Sequence, residues 1–363
     1  VDEDTLEITS SETRLERVHV AANLRHDQLD HIVTEAWLAD PAIEHENTPQ
    51  ALKDVREQLS FLHRLAKVWK AKREVVRGKP ENFNRPDYNF RLIGNDGAEP
   101  TGHETVEIST RQRGAPLDLI VAEAAIVANS TWGAWLAELG VPGIYRSQLS
   151  MAPGMKVRMG TKALPHAGIG VPCYAWSTSP LRRYTDLVNQ WQIIACARHG
   201  KTAALAAPFK PKSADLFAII GSFDTAYTAY NGYQAGMERF WTLQYLQQNG
   251  ITELTATVFK EGLHGSFMVR ADTLPLVFPV LGAQNLPRGA RLRVQLGAID
   301  EISLDLHGTV LERLDSAEAA AVEDNGDDEE EAAAGPIAIA VDVNEAEAGN
   351  GSGEAPAPAP APA

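Results

Sequence analysis

The hydrophobic period of this 363-residue chain changes at Gly250. Before it, from Ala214 to Gln248, apolar and aromatic residues recur at spacings of three and four, the period of a long helix. After it, ELTATVFKE, GSFMVRA, ARLRVQLG and ISLDLHGTVLE form short runs broken by Gly, Pro and Asn turns, the pattern of strands. About five strands over residues 251–314 suggest a small closed barrel, most simply an OB-fold, beside a helical body. The chain is therefore read as α+β.

Upstream, TLEIT and RLERVHV alternate up to Ala22 and read as strands, and a helix is expected from Pro49 to Val76 with Leu52, Val55, Leu59, Leu62, Leu65 and Trp69 on its buried face. Its second half, RLAKVWKAKREVVRGK, is dense in cations, which either line a polyanion or form a solvated face that complements the helix dipole. The segment PENFNRPDYNFRLIGNDGAE leads through a hairpin to a second long helix, APLDLIVAEAAIVANSTWGAWLAELG, closed by Gly140. Leu117, Val121, Ala124, Ala128, Trp135 and Leu139 share one face of it, with Glu123 on the flank, where a carboxylate reaches a cleft or simply sits at a rim. In the helix over 214–248, the rings of Phe217, Phe223, Tyr227, Tyr230, Tyr233, Phe240, Trp241 and Tyr245 are read mainly as core, with base stacking as the alternative.

From Asp315 onward the chain holds 13 acidic and no basic residues, so residues 1–314 carry 33 basic and 35 acidic groups despite the overall net charge of -15. This tail, ending in EAPAPAPAPA, is of low complexity and is expected to be disordered. Residues 61–314 carry 28 basic and 21 acidic groups, so a basic centre lies between acidic ends. No apolar run is read as reaching the 18 or so residues of a membrane span, and the N-terminus lacks signal-peptide character. Two cysteines, Cys173 and Cys196, suit reduced thiols, and the histidines show no metal-ligand spacing. A cytoplasmic, monomeric protein without a membrane partner is expected.

The stretch STSPLRRYTD, from Ser177 to Asp186, reads as a helix start: Thr178 or Ser179 caps it, Pro180 fits its first position, and the helix runs to Gly200. Arg182 and Arg183 then sit at the positive end of a helix dipole, unfavourably by roughly 0.3 to 1 kcal/mol each unless an anion is near. Backbone N–H groups with two guanidinium forks are what a phosphodiester needs. The simpler alternative is an exposed arginine pair with Asp186 as an i,i+4 partner.

Taken whole, HAGIGVPCYAWSTSPLRRYTDLVNQ resembles the signature of the ribonuclease II (RNB) family of 3′-to-5′ exoribonucleases. That pattern runs through His166, Gly168, Ile169, Tyr174, Ala175, Thr178, Ser179, Pro180, Leu181, Arg182, Arg183, Tyr184, Asp186 and Gln190. Ala167 and Ser177 depart from it. LDLIVAEAAIVAN with LGVPGIYR, YQAGMERFWTLQYL and, more loosely, RPDYNFRL are similar to further family segments.

The resemblance implies single-stranded RNA threaded into a channel and hydrolysed to nucleoside 5′-monophosphates by two-metal Mg²⁺ chemistry. By position, Arg182 would contact the phosphodiester near the scissile bond, with Arg183 supporting it or pairing with a local carboxylate. Glu238 would line the same site, Glu123 would hold the 3′-terminal nucleotide, and Tyr88 or Phe90 would clamp terminal bases. Asp186 is read as bracing the arginine helix. The family's aspartate cluster, Asp-x6-Asp-x-Asp-Asp, has no counterpart here, so no metal ligand is assigned and the Mg²⁺ ligands are expected upstream. The chain is thus read as the C-terminal part of an RNB catalytic domain over residues 1–248, an OB-fold RNA-binding barrel over 249–314 and a tail over 315–363. It would grip RNA in a parent exoribonuclease and be inactive alone. The alternatives are a non-catalytic RNA-binding member of the family and a helical interaction protein in which the arginines and rings are structural.

Overall fold

The structure is a computed structural model and describes residues 1–25, 29–81, 87–94, 99, 101–111, 114–152, 155–261, 267–284, 286–315 and 338–339. Most of the segment expected to be a disordered tail lies outside the described residues. Within it, β10 (Ala338–Ile339) pairs in parallel with β4 (Arg158–Gly160), which pairs antiparallel with β3 (Tyr145–Ser147).

The strands expected from TLEIT and RLERVHV do not form: residues 6–25 carry no ladder and expose Val18 and Val20. Alternation alone does not make a strand, because each backbone N–H and C=O needs a neighbouring strand to pair with. The segment instead lies along the helices, with Lys72 bonding Glu7 and the Trp132 indole N–H donating to Thr13 Oγ1 at 3.0 Å.

The helix expected over Pro49–Val76 is broken at Val55 into α2 (Gln50–Asp54) and α3 (Arg56–Arg77). At the break Arg56 turns back onto α1 (Glu35–Ala39), stacking over Trp37 and donating to the Asp40 carbonyl, one of the acceptors a helix end leaves unpaired. Trp37, Leu38, Leu52, Leu59 and Leu117 form the core here. Leu62 is exposed rather than buried. Gly78, in the left-handed conformation, closes α3 by donating to the Glu74 carbonyl.

Helix α4 (Pro116–Glu138) contains an 18-residue window of mean hydropathy 1.3, so its length and composition do reach those of a membrane span, contrary to the sequence reading. It packs on α3, however, and its buried side is Leu117, Glu123, Asn129, Gly133 and Leu136, while Val121 is exposed. The face is rotated from the apolar stripe because Glu123 and Asn129 make their hydrogen bonds inside.

Helix α5 (Tyr184–His199) is followed by a 3₁₀ turn, the short α6 (Ala203–Ala206) and the 35-residue α7 (Ala214–Gln248). The N-terminal end of α7 puts Leu216 and Ile220 into a core with Ile144, Met159, Trp176 and Val188. Its C-terminal end puts Leu243 and Leu246 into the barrel core with Leu254, Val269, Phe278 and Leu292. Between them, residues 221–240 bury no side chain.

The barrel is closed in the order β5 (Glu253–Glu261), β6 (Phe267–Ala271), β7 (Val277–Leu281), β9 (Gly308–Arg313), β8 (Arg291–Leu296), with β7 and β9 parallel. This five-stranded closure is the OB-like barrel expected. ISLDLHGTVLE contributes a strand only from Gly308, since residues 301–304 form a turn with Leu304 at positive φ. Register slips between Val258 and Lys260, so Phe259 is the extra residue of a bulge. The hairpin β1 (Asp87–Ile93) and β2 (Thr105–Arg111) leans on the barrel through Ile108.

Candidate nucleic-acid interface

The arginines lie before the helix, not in its first turn. Pro180–Arg182 is a turn, Arg183 is the N-cap, and α5 begins at Tyr184. The turn closes through the Arg182 and Arg183 N–H groups, both donating to the Ser179 carbonyl at 3.2 and 3.0 Å. Neither Thr178 nor Ser179 caps the helix, and no side chain caps it; Asp186 Oδ1 instead accepts from the loop N–H of Ser179 at 2.9 Å.

Asp186 is 0% exposed and is bridged by Arg183 in two hydrogen bonds, Nε to Oδ2 at 2.8 Å and Nη2 to Oδ1 at 2.6 Å. The ion pair is therefore i,i+3 from Arg183, not i,i+4 from Arg182. Through these bonds Asp186 ties Ser179 to Arg183 across the loop. The Arg182 side chain is exposed and makes no hydrogen bond or ion pair among the described residues, and Leu181 beside it is fully exposed.

The backbone under this loop is fixed by buried amides. Asn129 on α4 accepts from the Ser177 N–H at 3.0 Å and donates to Thr178 Oγ1 and the Tyr174 hydroxyl. Asn189 on α5 donates to the carbonyls of Ile144 and Trp176, and Gln190 to that of Ser177. Such satisfied networks hold one conformation, because each amide misplaced in the interior would lose its partner. Arg183 Cζ and Arg146 Cζ each lie 4.3 Å from the ring of buried Trp176.

Glu123 is not at a cleft rim. It is 1% exposed, and both its oxygens accept from Arg73 of α3, through Nε at 2.9 Å and through Nη2. Arg73 also bonds Glu81 at 2.9 Å and the Ile169 carbonyl at 2.6 Å, and these carboxylates hold its guanidinium even more firmly protonated than usual. Gly170 approaches Arg73 so closely, at φ +78°, that a methyl group would run into the Arg73 carbonyl. The cations of α3 are occupied locally, Lys67 by Glu35, Lys70 by Glu74 and Lys72 by Glu7.

Glu238 is half-buried on α7 and accepts from Gln234 at 2.9 Å. It lies eleven residues beyond Tyr227, which touches Trp176, so about 16 Å further along the helix, and no described hydrogen bond or ion pair joins it to either arginine. Arg239 beside it donates to the barrel carbonyls of Leu304 and Val277. Tyr88 and Phe90 stand opposite Thr110 and Ile108 in the hairpin, both half-buried, and the Phe90 face is the one Ile108 packs onto the barrel. Tyr88 senses the charges of Arg270 and Asp272, and burial pushes its hydroxyl pKa up.

Two groups went unnoticed in the sequence. One is Trp176 with Arg146. The other is on the barrel, where Phe259 lies under Arg270 at 4.4 Å, Lys260 at 5.7 Å and Arg288 at 5.8 Å. The only sequence signal for the latter was the adjacent apolar pair Val258–Phe259, which breaks strand alternation. Among the described residues no three His, Cys, Asp or Glu side chains are grouped to hold a metal ion, and Asp186 is committed to Arg183. These residues do not fit a magnesium pair.

The profile of the RNB domain matches residues 1–157 and 152–199. An uncharacterized ribonuclease of Synechocystis sp. is 26% identical over 208 residues, 50% of this chain and 30% of that protein. Among solved structures, an active-site mutant of the Dss1 exoribonuclease from Candida glabrata matches 80% of this chain with TM-score 0.58 and 18% identity. Mycoplasma genitalium RNase R in complex with ribose-methylated single-stranded RNA matches 79% with TM-score 0.54 and 14% identity. These two likenesses show the fold. This chain spans 30% of the length of the Synechocystis protein, 38% of the Dss1 chain and 53% of the RNase R chain.

Proposed function

The chain belongs to the RNB domain family, whose matched relatives are ribonucleases, and we propose that it supplies the part of a 3′-to-5′ exoribonuclease that grips single-stranded RNA. The observation that carries this reading is Arg182: a guanidinium without a partner among the described residues, on a loop braced by Asn129, Asn189, Gln190 and Asp186. A phosphate oxygen accepting from Arg182 gains a charge-assisted hydrogen bond, and the exposed loop needs no rearrangement to give it. Arg183 shapes the loop. The barrel cations Lys260, Arg270 and Arg288 offer a second place for the RNA backbone, and RNase R, of like fold, was solved with single-stranded RNA.

Processive hydrolysis to nucleoside 5′-monophosphates with Mg²⁺ is proposed for the parent protein, with the metal held by residues outside this chain, and a cytoplasmic location without a membrane partner is proposed with it. What the present residues do is bind and orient the phosphodiester. The test is a fluorescence-anisotropy titration of a single-stranded oligoribonucleotide across salt concentrations. The intact chain is expected to bind with a negative salt slope, and R182A to weaken binding and flatten the slope by about 0.7. A salt titration unchanged by R182A would favour a helical interaction protein instead. With Mg²⁺ added, the 363-residue chain is expected to release no mononucleotide from labelled RNA.

A further inference from the structure

We propose that Trp176 is the positioning residue of the arginine loop: its indole staples the loop shut by receiving Arg183, takes Arg146 from β3 as well, and so fixes where Arg182 is presented. The proposal rests on the RNA reading of Arg182 above.

The geometry is that of a closed clasp. Loop residues 177–182 begin after Trp176 and end before Arg183, and those two flanking side chains meet, with Arg183 Cζ 4.3 Å from the Trp176 ring. The clasp is anchored at its base, since the Trp176 N–H donates to the Ile144 carbonyl at 3.3 Å and its own carbonyl accepts from Asn189 Nδ2 at 2.6 Å. From α7, Phe223 and Tyr227 meet the indole edge-on at 6.2 and 6.1 Å and stack on one another at 5.3 Å. The ring is thus held by three separate elements of chain.

The chemistry requires an aromatic face and not merely bulk. Arg146 and Arg183 are like charges at one ring, and Asp186 pairs with Arg183. The negative face of an indole attracts both guanidiniums, whereas an aliphatic side chain of similar size fills the space and attracts neither. Without the ring, the loop backbone would remain tied through Asp186, Asn129 and Gln190, but the Arg183 side chain would lose the face that receives it. Arg182 has no partner of its own, so its position is inherited from the two ends of the loop.

In the 363-residue chain, W176L is expected to lower affinity for a single-stranded oligoribonucleotide about tenfold. In that background R182A should cost no more than about twofold, against about tenfold otherwise, the non-additivity of residues acting as one unit. W176F, which keeps an aromatic face, should restore affinity to within about threefold. By NMR, two arginine Nε–H signals, assigned through R146K and R183K, are expected upfield under the indole ring current and should return to ordinary positions in W176L. Should W176L not fold, the ring-current test on the intact chain decides: the two shifted arginine signals support the staple and their absence overturns it. Wild-type affinity in W176L, a full R182A effect in its background, or absence of the shifted signals overturns the proposal while the RNA reading stands. If R182A binds RNA as the intact chain does with the shifted signals present, the RNA reading falls, and the positioning role with it.

Discussion

Arg183 is joined to Asp186 through two hydrogen bonds of 2.8 and 2.6 Å, whereas Arg182, one residue earlier, reaches no partner among the described residues. Adjacent residues of one type thus have separate tasks: one charge is consumed inside the fold and the other is presented to solvent.

The two substitutions should therefore separate stability from binding. R183A leaves the buried Asp186 carboxylate without its cation and is expected to destabilise by about 3 to 5 kcal/mol. R182A, at an exposed position, should stay within about 0.5 kcal/mol while weakening RNA binding. Denaturant unfolding measured beside RNA titration checks both, and equal stability losses would contradict the division.

Glu123 is expected to behave as a core residue. E123A strands Arg73 and should cost about 3 to 5 kcal/mol in denaturant unfolding. If Glu123 held an RNA end instead, E123Q would lower RNA affinity and leave stability nearly unchanged. The expected result is the reverse.

The barrel cations should contribute to the salt dependence independently of the arginine loop. K260A and R288A are each expected to reduce the slope of log affinity against log salt by about 0.7 for single-stranded RNA. The double substitution R182A/K260A should be additive, because loop and barrel share no partner. A slope unchanged in K260A and R288A would remove the barrel face from the RNA path.

Stability should fall on mild acidification. Burial and the nearby Arg146 charge hold His166 neutral, with its pKa lowered from 6.5 to about 3, and burial lowers that of His63 as well. A histidine that stays neutral when folded contributes stability that is present above the unfolded value of 6.5 and is lost as the pH falls below it. The loss is about 1.4 kcal/mol per pH unit for His166, because the unfolded chain then takes up a proton the native one refuses. Carboxylates held low, such as Glu104 and Asp315, add their loss only below about pH 4.5. Unfolding free energies from pH 7 to 5 should show the slope, and H166N should flatten it.

The barrel and the long helix before it were legible because each is a local period sustained over many residues. The RNB signature likewise identified the family, on residues that include the loop from Ser177 to Arg182. The geometry of that loop was not legible: Pro180 promised a helix start four residues early, whereas the helix begins at Tyr184 and the Asp186 side chain bonds back to the Ser179 N–H of the preceding loop. Glu123 was misread because a helical wheel ranks faces by apolarity, while the buried face of α4 was chosen by partners distant in sequence, Arg73 and the loop that Asn129 holds. Trp176 and Phe259 escaped notice for the same reason, since Arg146 at the one ring and Arg270 and Arg288 at the other come from other parts of the chain.

The unburied middle of α7 makes it a lever. Its ends are rooted in two different cores, with Ile220 on the side of the arginine loop and Leu243 in the barrel, about 34 Å apart along the axis. A rigid rod so mounted converts a small tilt of the barrel into torque on Phe223 and Tyr227, the rings that bear on Trp176. A displacement at the barrel is thereby delivered to the arginine loop. Placing a flexible glycine run in place of Ala229–Gly236 should break that transmission while leaving each RNA contact, and the additivity of R182A with K260A, intact.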